Sequence, residues 1–235
     1  MKRLAVIPAR SGSKRIPNKN IRDFCGQPMI GYILNNARDS GLFSTIHVST
    51  DSESIRKVAA NFGLPPDFMR PQDLADDHTP LMPVMRYVVE EYARRGQRFD
   101  EIWLLMACAP LIDNQDLVNA AALFKESGAE QSLLAVSEYP APIEWAFNRS
   151  ANGLLTPVQA GMFATRSQDL EKRYFDAGSF AVFPVARVLE SEGAGSDNGF
   201  IGYVLPKGAA IDIDDEQDWQ LAEVMYRMRS IKTSR

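Results

Sequence analysis

One segment near the N-terminus concentrates cations, hydroxyls and small residues. Residues 8–20 read PARSGSKRIPNKN and directly follow the apolar run LAVI; we call them the basic loop. Small residues let backbone N–H groups converge on an anion, and Arg10, Lys14 and Lys19 can neutralise a triphosphate. The alternative is a solvated basic loop without a ligand. Its place after a buried strand favours phosphate binding.

The basic loop matches neither of two common nucleotide-binding motifs. It is not the GxGxxG of a dinucleotide-binding turn, and it is not the GxxxxGK(S/T) of a P-loop. A nicotinamide-dependent oxidoreductase or epimerase and a P-loop ATPase are therefore disfavoured.

A second candidate site is the acidic segment, residues 211–215, which reads IDIDD. If this segment is extended, Asp212 and Asp214 project from one face. Two carboxylates together with substrate phosphates suit Mg²⁺. The alternative is that Asp214 caps a helix beginning near Asp215 and Glu216. The basic loop favours the metal site.

Four other polar residues are set aside as candidates. Asp51 and Asp77 can contact a ligand, or they can cap helices that begin just after them, so neither joins the catalytic set. His78 lies beside acids in a loop and is expected to be a solvated surface residue, whereas His47 is expected to be structural on a strand.

Short apolar runs alternate with helical patterns along the chain. The predicted buried strands are Leu4–Ile7, Ile46–Ser49, Ile102–Met106, Leu133–Val136, Phe180–Phe183 and Ile201–Leu205. Helical spacing of apolar residues begins at Ile30, Ile55, Leu81 and Leu221. Strands alternating with helices predict a Rossmann-like, three-layer α/β/α sandwich with a mostly parallel sheet, whose ligands bind beyond the carboxyl ends of the strands.

Composition narrows the class of protein. The 235 residues carry a formal net charge of −4, which argues against a broad basic surface for nucleic acid. No apolar run reaches the ~20 residues of a membrane span, and the apolar start is too short for a signal peptide, so we expect a cytoplasmic protein without a membrane partner. Cys25 and Cys108 are expected to be reduced thiols, and residues 230–235 a frayed tail.

Residues 139–173 break the alternation of strands and helices. They contain three prolines, a charged stretch, and the apolar residues Trp145, Phe147, Met162 and Phe163. The segment is either an ordinary long surface loop or an inserted arm. Large apolar side chains are costly to leave in water, which favours an arm that contacts a second copy of the chain.

The motifs together resemble those of one enzyme family. Residues 7–20 (IPARSGSKRIPNKN), VSTD at 48–51, RPQDLADD at 70–77, PL at 110–111 and IDID at 211–214 resemble the CMP-sialic acid synthetases (acylneuraminate cytidylyltransferases), in the family's order over nearly the whole chain. FCGQPMI at 24–30, YPAPI at 139–143 with Trp145, and DAGSF at 176–180 are most similar to the members that activate pseudaminic acid.

This resemblance implies a fold, a reaction and a set of site residues. The expected protein is a single nucleotidyltransferase domain, residues 1–235, with a dimerisation and sugar-binding arm at about 139–175. It acts as a homodimer that condenses CTP with an acidic nine-carbon sugar in the presence of Mg²⁺. The implied catalytic residues are Arg10, Lys14, Lys19, Asp212 and Asp214; the nucleotide-binding residues are Ala9, Arg10, Ser13, Lys14, Lys19, Asn20 and Arg70; the sugar-binding residues are Asp176, Gly178, Ser179 and Phe180; the metal ligands are Asp212 and Asp214.

Some residues depart from the family pattern. Ser11 replaces a common glycine, and Met106 to Ala109 read MACA where relatives read closer to QPTS or PTA. Arg166 and Arg173 are candidates for the sugar carboxylate, or they are solvent-exposed charges. Activation of N-acetylneuraminate, legionaminate or an eight-carbon ulosonate therefore stays open beside pseudaminate. So does a catalytically silent nucleotide-binding homologue, against which the intact basic and acidic segments speak.

Overall fold

The computed structural model describes residues 1–233, in which strands alternate with helices as the periodicity predicts. The strands are β1 (Arg3–Pro8), β2 (Asp23–Phe24), β3 (Gln27–Pro28), β4 (Thr45–Ser49), β5 (Glu101–Leu105), β6 (Ser132–Glu138), β7 (Phe147–Arg149), β8 (Leu155–Pro157), β9 (Tyr174–Pro184) and β10 (Phe200–Val204). The helices are α1 (Met29–Asp39), α2 (Glu53–Asn61), α3 (Leu81–Arg94), α4 (Asn114–Glu126), α5 (Val185–Leu189) and α6 (Glu216–Thr233). Each predicted strand and each of the four predicted helices is confirmed.

Six strands form one sheet in the order β10-β6-β9-β5-β1-β4. All neighbours are parallel except β9, which runs antiparallel to both β5 and β6. The expected mostly parallel sheet is confirmed, with this one reversal. Because β9 is reversed, its first residues lie at the edge where the parallel strands end. Residues 176–179 are thereby brought to the ligand-binding edge.

Helices cover both faces of the sheet and give the predicted three layers. Alternate residues of each central strand face opposite ways: Ala5 and Ile7 of β1 pack with α1, α2, α4 and α6, whereas Leu4 and Val6 pack with α3 and α5. Both clusters are nearly closed to solvent. This double cover explains why the strands read as continuous apolar runs.

Helix α4 was not predicted from the sequence. Its buried face consists of Leu117, Ala120, Ala121 and Phe124, which has helical spacing but contains two alanines in place of large apolar residues. A capping box formed by Asp113 and the third helical residue fixes its start. The start signal was present in the sequence, and the weak apolar contrast hid it.

Residues 139–173 lie outside the six-stranded sheet, as expected of an inserted arm. Strands β7 and β8 pair as a short hairpin, and the Trp145 Nε1–H donates to the Thr165 carbonyl (3.2 Å). The arm ends earlier than the predicted residue 175, because Tyr174 and Phe175 already pair with β6. Four large apolar side chains of the arm are more than half exposed: Leu154, Leu155, Val158 and Phe163.

Two findings concern length and ends. Among the described residues, no helix has both the length and the apolar character needed to cross a membrane. Helix α6 continues to Thr233, so the tail predicted to fray from residue 230 is helical for four residues, and residues 234 and 235 lie outside the described part.

Candidate active site

The basic loop leaves β1 at the carboxyl edge of the sheet and is anchored by an acid that follows β4. Ala9 is buried and donates its N–H to the Ser49 carbonyl (2.9 Å). Asp51 accepts the N–H of Ser11 (3.0 Å) and its hydroxyl (2.7 Å). Burial raises the pKa of Asp51, but these hydrogen bonds lower it by more and hold it below its ordinary value. Asp51 therefore fixes the loop, and Ser52 caps helix α2 in its place.

The loop forms one wall of a cavity of about 440 Å³. Of the predicted nucleotide-binding residues, six line this cavity: Arg10, Ser13, Lys14, Lys19, Asn20 and Arg70. Ala9 is buried beneath them. The cavity therefore gathers cations that a triphosphate requires, at the edge of the sheet where the α/β rule places a ligand.

Asp77, which the sequence analysis left out of the site, binds two of these cations. One carboxylate oxygen pairs with Arg10 Nη1 and the other with Lys14 Nζ. The hydrogen bond from Lys14, followed by that from Arg10, lowers the pKa of Asp77 to about 2. Asp77 is not a helix cap, because α3 begins only at Leu81 after Pro80. No spacing rule in the sequence connects it to residues more than sixty positions away.

The basic loop also reaches the acidic segment. Lys19 Nζ donates to the Ile213 carbonyl (2.5 Å) and lies 4.0 Å from Asp214 Oδ1. Arg15, a loop cation without a predicted role, pairs with the same Asp214 oxygen (2.7 Å). The cations predicted for phosphates and an acid predicted for metal thus meet in one cavity.

Arg70 and Asn20, the residues predicted to hold the nucleoside, line the same cavity. Arg70 is 6% exposed; its Nη2 donates to the Ser49 carbonyl (2.7 Å) and its Nε to the Ser49 hydroxyl (3.1 Å). Burial lowers the pKa of Arg70 to about 10, so it remains a cation at neutral pH. Asn20 Nδ2 donates to the Arg10 carbonyl (3.2 Å). Contact of either residue with a nucleoside stays a prediction.

Neither of the two predicted metal ligands in the acidic segment caps a helix. Asp215, and not Asp214, caps α6: its Oδ1 accepts the N–H of Gln217 (2.8 Å) and of Asp218 (3.0 Å). Residues 211–214 belong to no strand. Asp212 lies against Gly178 of β9, where an added Cβ would come within 3.1 Å of its Cγ.

The chemistry of this pair fits a divalent cation. Burial, and next the charge of Asp214, raises the pKa of Asp212, and a bound cation would offset both effects. In the described part of the chain, no group of three or more His, Cys, Asp or Glu side chains could hold a metal ion. Two oxygen ligands completed by substrate phosphates and water is the arrangement typical of Mg²⁺.

Of the predicted sugar-binding residues of β9, Asp176 is exposed, whereas Ser179 and Phe180 are buried. Asp176 is exposed at the edge and accepts the Gly178 N–H (2.9 Å). Ser179 is buried with its hydroxyl unpaired. Phe180 points into the core, where its ring stacks on Trp103 (centroids 6.2 Å, 22°). The Phe180 side chain therefore lies in the hydrophobic core, and its contact with a sugar stays a prediction.

Other predicted polar residues lie outside the cavity. Arg166 pairs with Asp169 (2.8 Å), and Arg173 pairs with two glutamates; neither lines this cavity. His78 is exposed and His47 is buried on β4, as expected.

The atypical strand end at residues 106–108 does form part of the cavity. Met106, Ala107 and Cys108 line it. Cys108 is a free, buried thiol whose pKa is raised by burial, and Cys25 is also free. The departure from the family pattern therefore lies in the cavity wall, where it places apolar side chains and a thiol.

Comparison with known proteins agrees with this geometry. Residues 4–156 match the family model described as cytidylyltransferase. The chain belongs to the cytidylyltransferase family. It is similar to the pseudaminic acid cytidylyltransferase of Campylobacter jejuni subsp. jejuni serotype O:2, with 36% identity over 97% of both chains. It is also similar to the CMP-N,N'-diacetyllegionaminic acid synthase of Legionella pneumophila subsp. pneumophila, with 30% identity over 97% of both.

A solved structure supports the fold. The CMP:2-keto-3-deoxy-manno-octonic acid synthetase complexed with CTP superposes with a TM-score of 0.68, at 16% identity, covering 97% of this chain and 100% of that one. The predicted three-layer nucleotidyltransferase fold is confirmed, and the resemblance to CMP-sugar synthetases is confirmed by the relatives.

Proposed function

We propose that this cytidylyltransferase condenses CTP with a nonulosonic acid, pseudaminic acid by preference, and releases pyrophosphate. The observation that carries the proposal is the meeting of the basic loop and the acidic segment: Lys19 and Arg15 reach Asp214 across a cavity that also exposes Lys14 and Arg10 to a ligand. The pseudaminic acid enzyme similar over 97% of its length supports the choice of sugar, which would serve surface glycan or flagellin glycosylation.

In this proposal the loop holds the triphosphate. Arg10, Lys14 and Lys19 bind phosphate oxygens, Ser13 donates a hydrogen bond, and the backbone from Ala9 onward approaches the same anions. Asn20 and Arg70 hold the nucleoside. Such pre-placed cations stabilise charge that builds on the departing pyrophosphate.

Asp212 and Asp214 would hold Mg²⁺. The bound ion supplies Lewis-acid polarisation of phosphate oxygens. For Asp214 this requires release from Arg15, whose side chain is 66% exposed and can turn toward solvent. Lys19 is only 17% exposed and stays between the acid and the phosphates.

The sugar is placed beside the acidic segment. Asp176, Gly178 and Ser179 lie at the start of β9 next to Asp212. There the anomeric hydroxyl would attack the α-phosphorus in line: a new oxygen–phosphorus bond forms as the bond to the pyrophosphate oxygen breaks, and the hydroxyl proton passes to water. Positioning the two substrates is the main contribution of the protein.

We further propose that the protein works as a homodimer in the cytoplasm, where CTP is available. The exposed apolar side chains of the arm, including Leu154, Val158 and Phe163, are the surface we assign to the second copy, because patches of this kind mark interfaces.

The experiment is a pyrophosphate-release assay with purified protein, CTP and Mg²⁺. Pseudaminate, legionaminate, N-acetylneuraminate and an eight-carbon ulosonate are offered separately. We expect release with pseudaminate, and loss of release in the Asp212→Asn/Asp214→Asn variant but not in the Asp39→Asn control, an exposed acid on α1. Release with another acid corrects the sugar. CTP binding without release from any acid would indicate a silent homologue.

A further inference from the structure

A single carboxylate forms ion pairs with two of the cations that are predicted to bind phosphate. Asp77 pairs through one oxygen with Arg10 and through the other with Lys14. Two cations bridged by the two oxygens of one anion is also the arrangement that a phosphate group would make. Asp77 therefore stands where a phosphate must bind if Arg10 and Lys14 are to contact CTP.

The three residues of this ion bridge line two cavities. One is the cavity of about 440 Å³ described above. The other has a volume of about 460 Å³ and is also lined by Ser11 and Gly12. Arg10, Lys14 and Asp77 line both cavities. An anion in either cavity can therefore reach the bridge.

The bridge is built so that a soluble anion can replace Asp77. The side chains of Lys14 and Asp77 are 80% and 27% exposed, and ion pairs of this exposure contribute little to stability. Asp77 lies on the exposed connection before α3, where Asp76 closes a local turn by accepting the N–H groups of His78 (2.8 Å) and Thr79 (2.6 Å). This turn presents Asp77 to the loop without tying its own carboxylate to the core.

We propose that Asp77 is a built-in competitor for phosphate groups. It neutralises Arg10 and Lys14 in the free enzyme, is displaced by the triphosphate, and returns to the two cations to help expel pyrophosphate through the second cavity. The inference rests on the proposed function for the identity of the nucleotide. The competition itself concerns any polyphosphate at the basic loop.

A positioning role for Asp77 predicts the opposite effect on phosphate binding. If Asp77 stays in place and orients Arg10 and Lys14 for the ligand, removal of its charge weakens phosphate binding. If it competes, removal strengthens binding. With a pKa of about 2, Asp77 is ionised at every pH at which the two cases would be compared, so the sign of the change is decisive.

The experiment measures binding of inorganic pyrophosphate by calorimetry, and KM for CTP where turnover is observed, in Asp77→Asn. Asp77→Ser is a second neutral variant, Asp77→Glu keeps the charge, and Asp73→Asn removes an exposed acid from the same segment without touching the bridge. We expect both neutral variants to bind pyrophosphate about two- to thirtyfold more tightly, the range of two exposed ion pairs. Thermal unfolding confirms that each variant is folded.

The outcomes separate this proposal from the proposed function. Tighter pyrophosphate binding in both neutral variants, with Asp77→Glu and Asp73→Asn near the unaltered protein, supports competition even if none of the acidic sugars is activated. Unchanged binding in the folded neutral variants overturns the proposal, even if CTP is converted normally. Weaker binding overturns it and assigns Asp77 to positioning of Arg10 and Lys14.

Discussion

Gly178 gives Asp212 the space it needs, and replacing it tests the proposed metal site. Gly178 has φ +60°, and a Cβ there would lie 3.1 Å from Asp212 Cγ and 3.3 Å from each carboxylate oxygen. Carbon atoms pack at about 3.5–4.0 Å, so in Gly178→Ala the carboxylate must shift by roughly a few tenths of an ångström. The neighbouring Ser179 carbonyl accepts the Met106 N–H, whereas residues 211–214 belong to no strand, so we expect the acidic segment to give way.

Gly178→Ala should lower both the stability of the protein and its activity. A left-handed residue other than glycine costs about 1–2 kcal/mol, which lowers the free energy of unfolding. Misplacement of a reacting group by about 1 Å can cost 10²-fold in rate, so a few tenths corresponds to roughly three- to tenfold. We expect that loss in kcat/KM, together with a higher Mg²⁺ concentration for half-maximal activity.

Gly41→Ala is the matched control. Gly41 has φ +65° and nothing within 4 Å of an added Cβ, so it carries the same backbone cost without touching the site. Urea unfolding should show a similar loss of stability in both variants, and Mg²⁺ titration of pyrophosphate release should show a change in Gly178→Ala alone. An unaltered Mg²⁺ requirement in folded Gly178→Ala would refute Asp212 as a ligand.

Three further predictions concern stability and binding. Burial lowers the pKa of His47 to about 4, from about 6.5 in the unfolded chain. The neutral buried imidazole therefore contributes about 3 kcal/mol to the free energy of unfolding above pH 6.5, and this contribution is lost as the pH falls toward 4. Denaturant unfolding should show a flatter pH dependence in His47→Gln. Arg70→Gln should lose about 1.5–3 kcal/mol in urea unfolding, because hydrogen bonds from a charged group to Ser49 are removed, and should raise KM for CTP; unchanged stability would contradict this. Asp215→Ala should lose about 1 kcal/mol, the value of a helix cap, whereas Asp215→Ser should retain it; equal losses would count against the cap.

The sequence predicted best the features that depend on local pattern. Continuous apolar runs specified the buried strands, and the basic loop after β1 was recognisable because cations and small residues are concentrated there. The direction of β9 was not recognisable, since a buried strand reads the same in either direction. Its reversal, which brings Gly178 to Asp212, follows only from the tertiary fold.

Residues that meet from distant parts of the chain were the least predictable. Asp77 joins Arg10 and Lys14 through the packing of separate connections at one sheet edge, and no periodicity encodes that meeting. The sequence came within one residue of the helix cap. Asp214 and Asp215 both precede α6, and only the backbone geometry shows that Asp215 is the cap.

The most direct test of the central claim is ³¹P NMR of CTP and pseudaminate incubated with the protein and Mg²⁺. The account predicts that the three CTP resonances are replaced by one phosphodiester resonance and pyrophosphate in equal amounts, and that neither forms without the sugar. CTP that is unchanged, or that is hydrolysed to CDP and phosphate regardless of the sugar, would contradict the account.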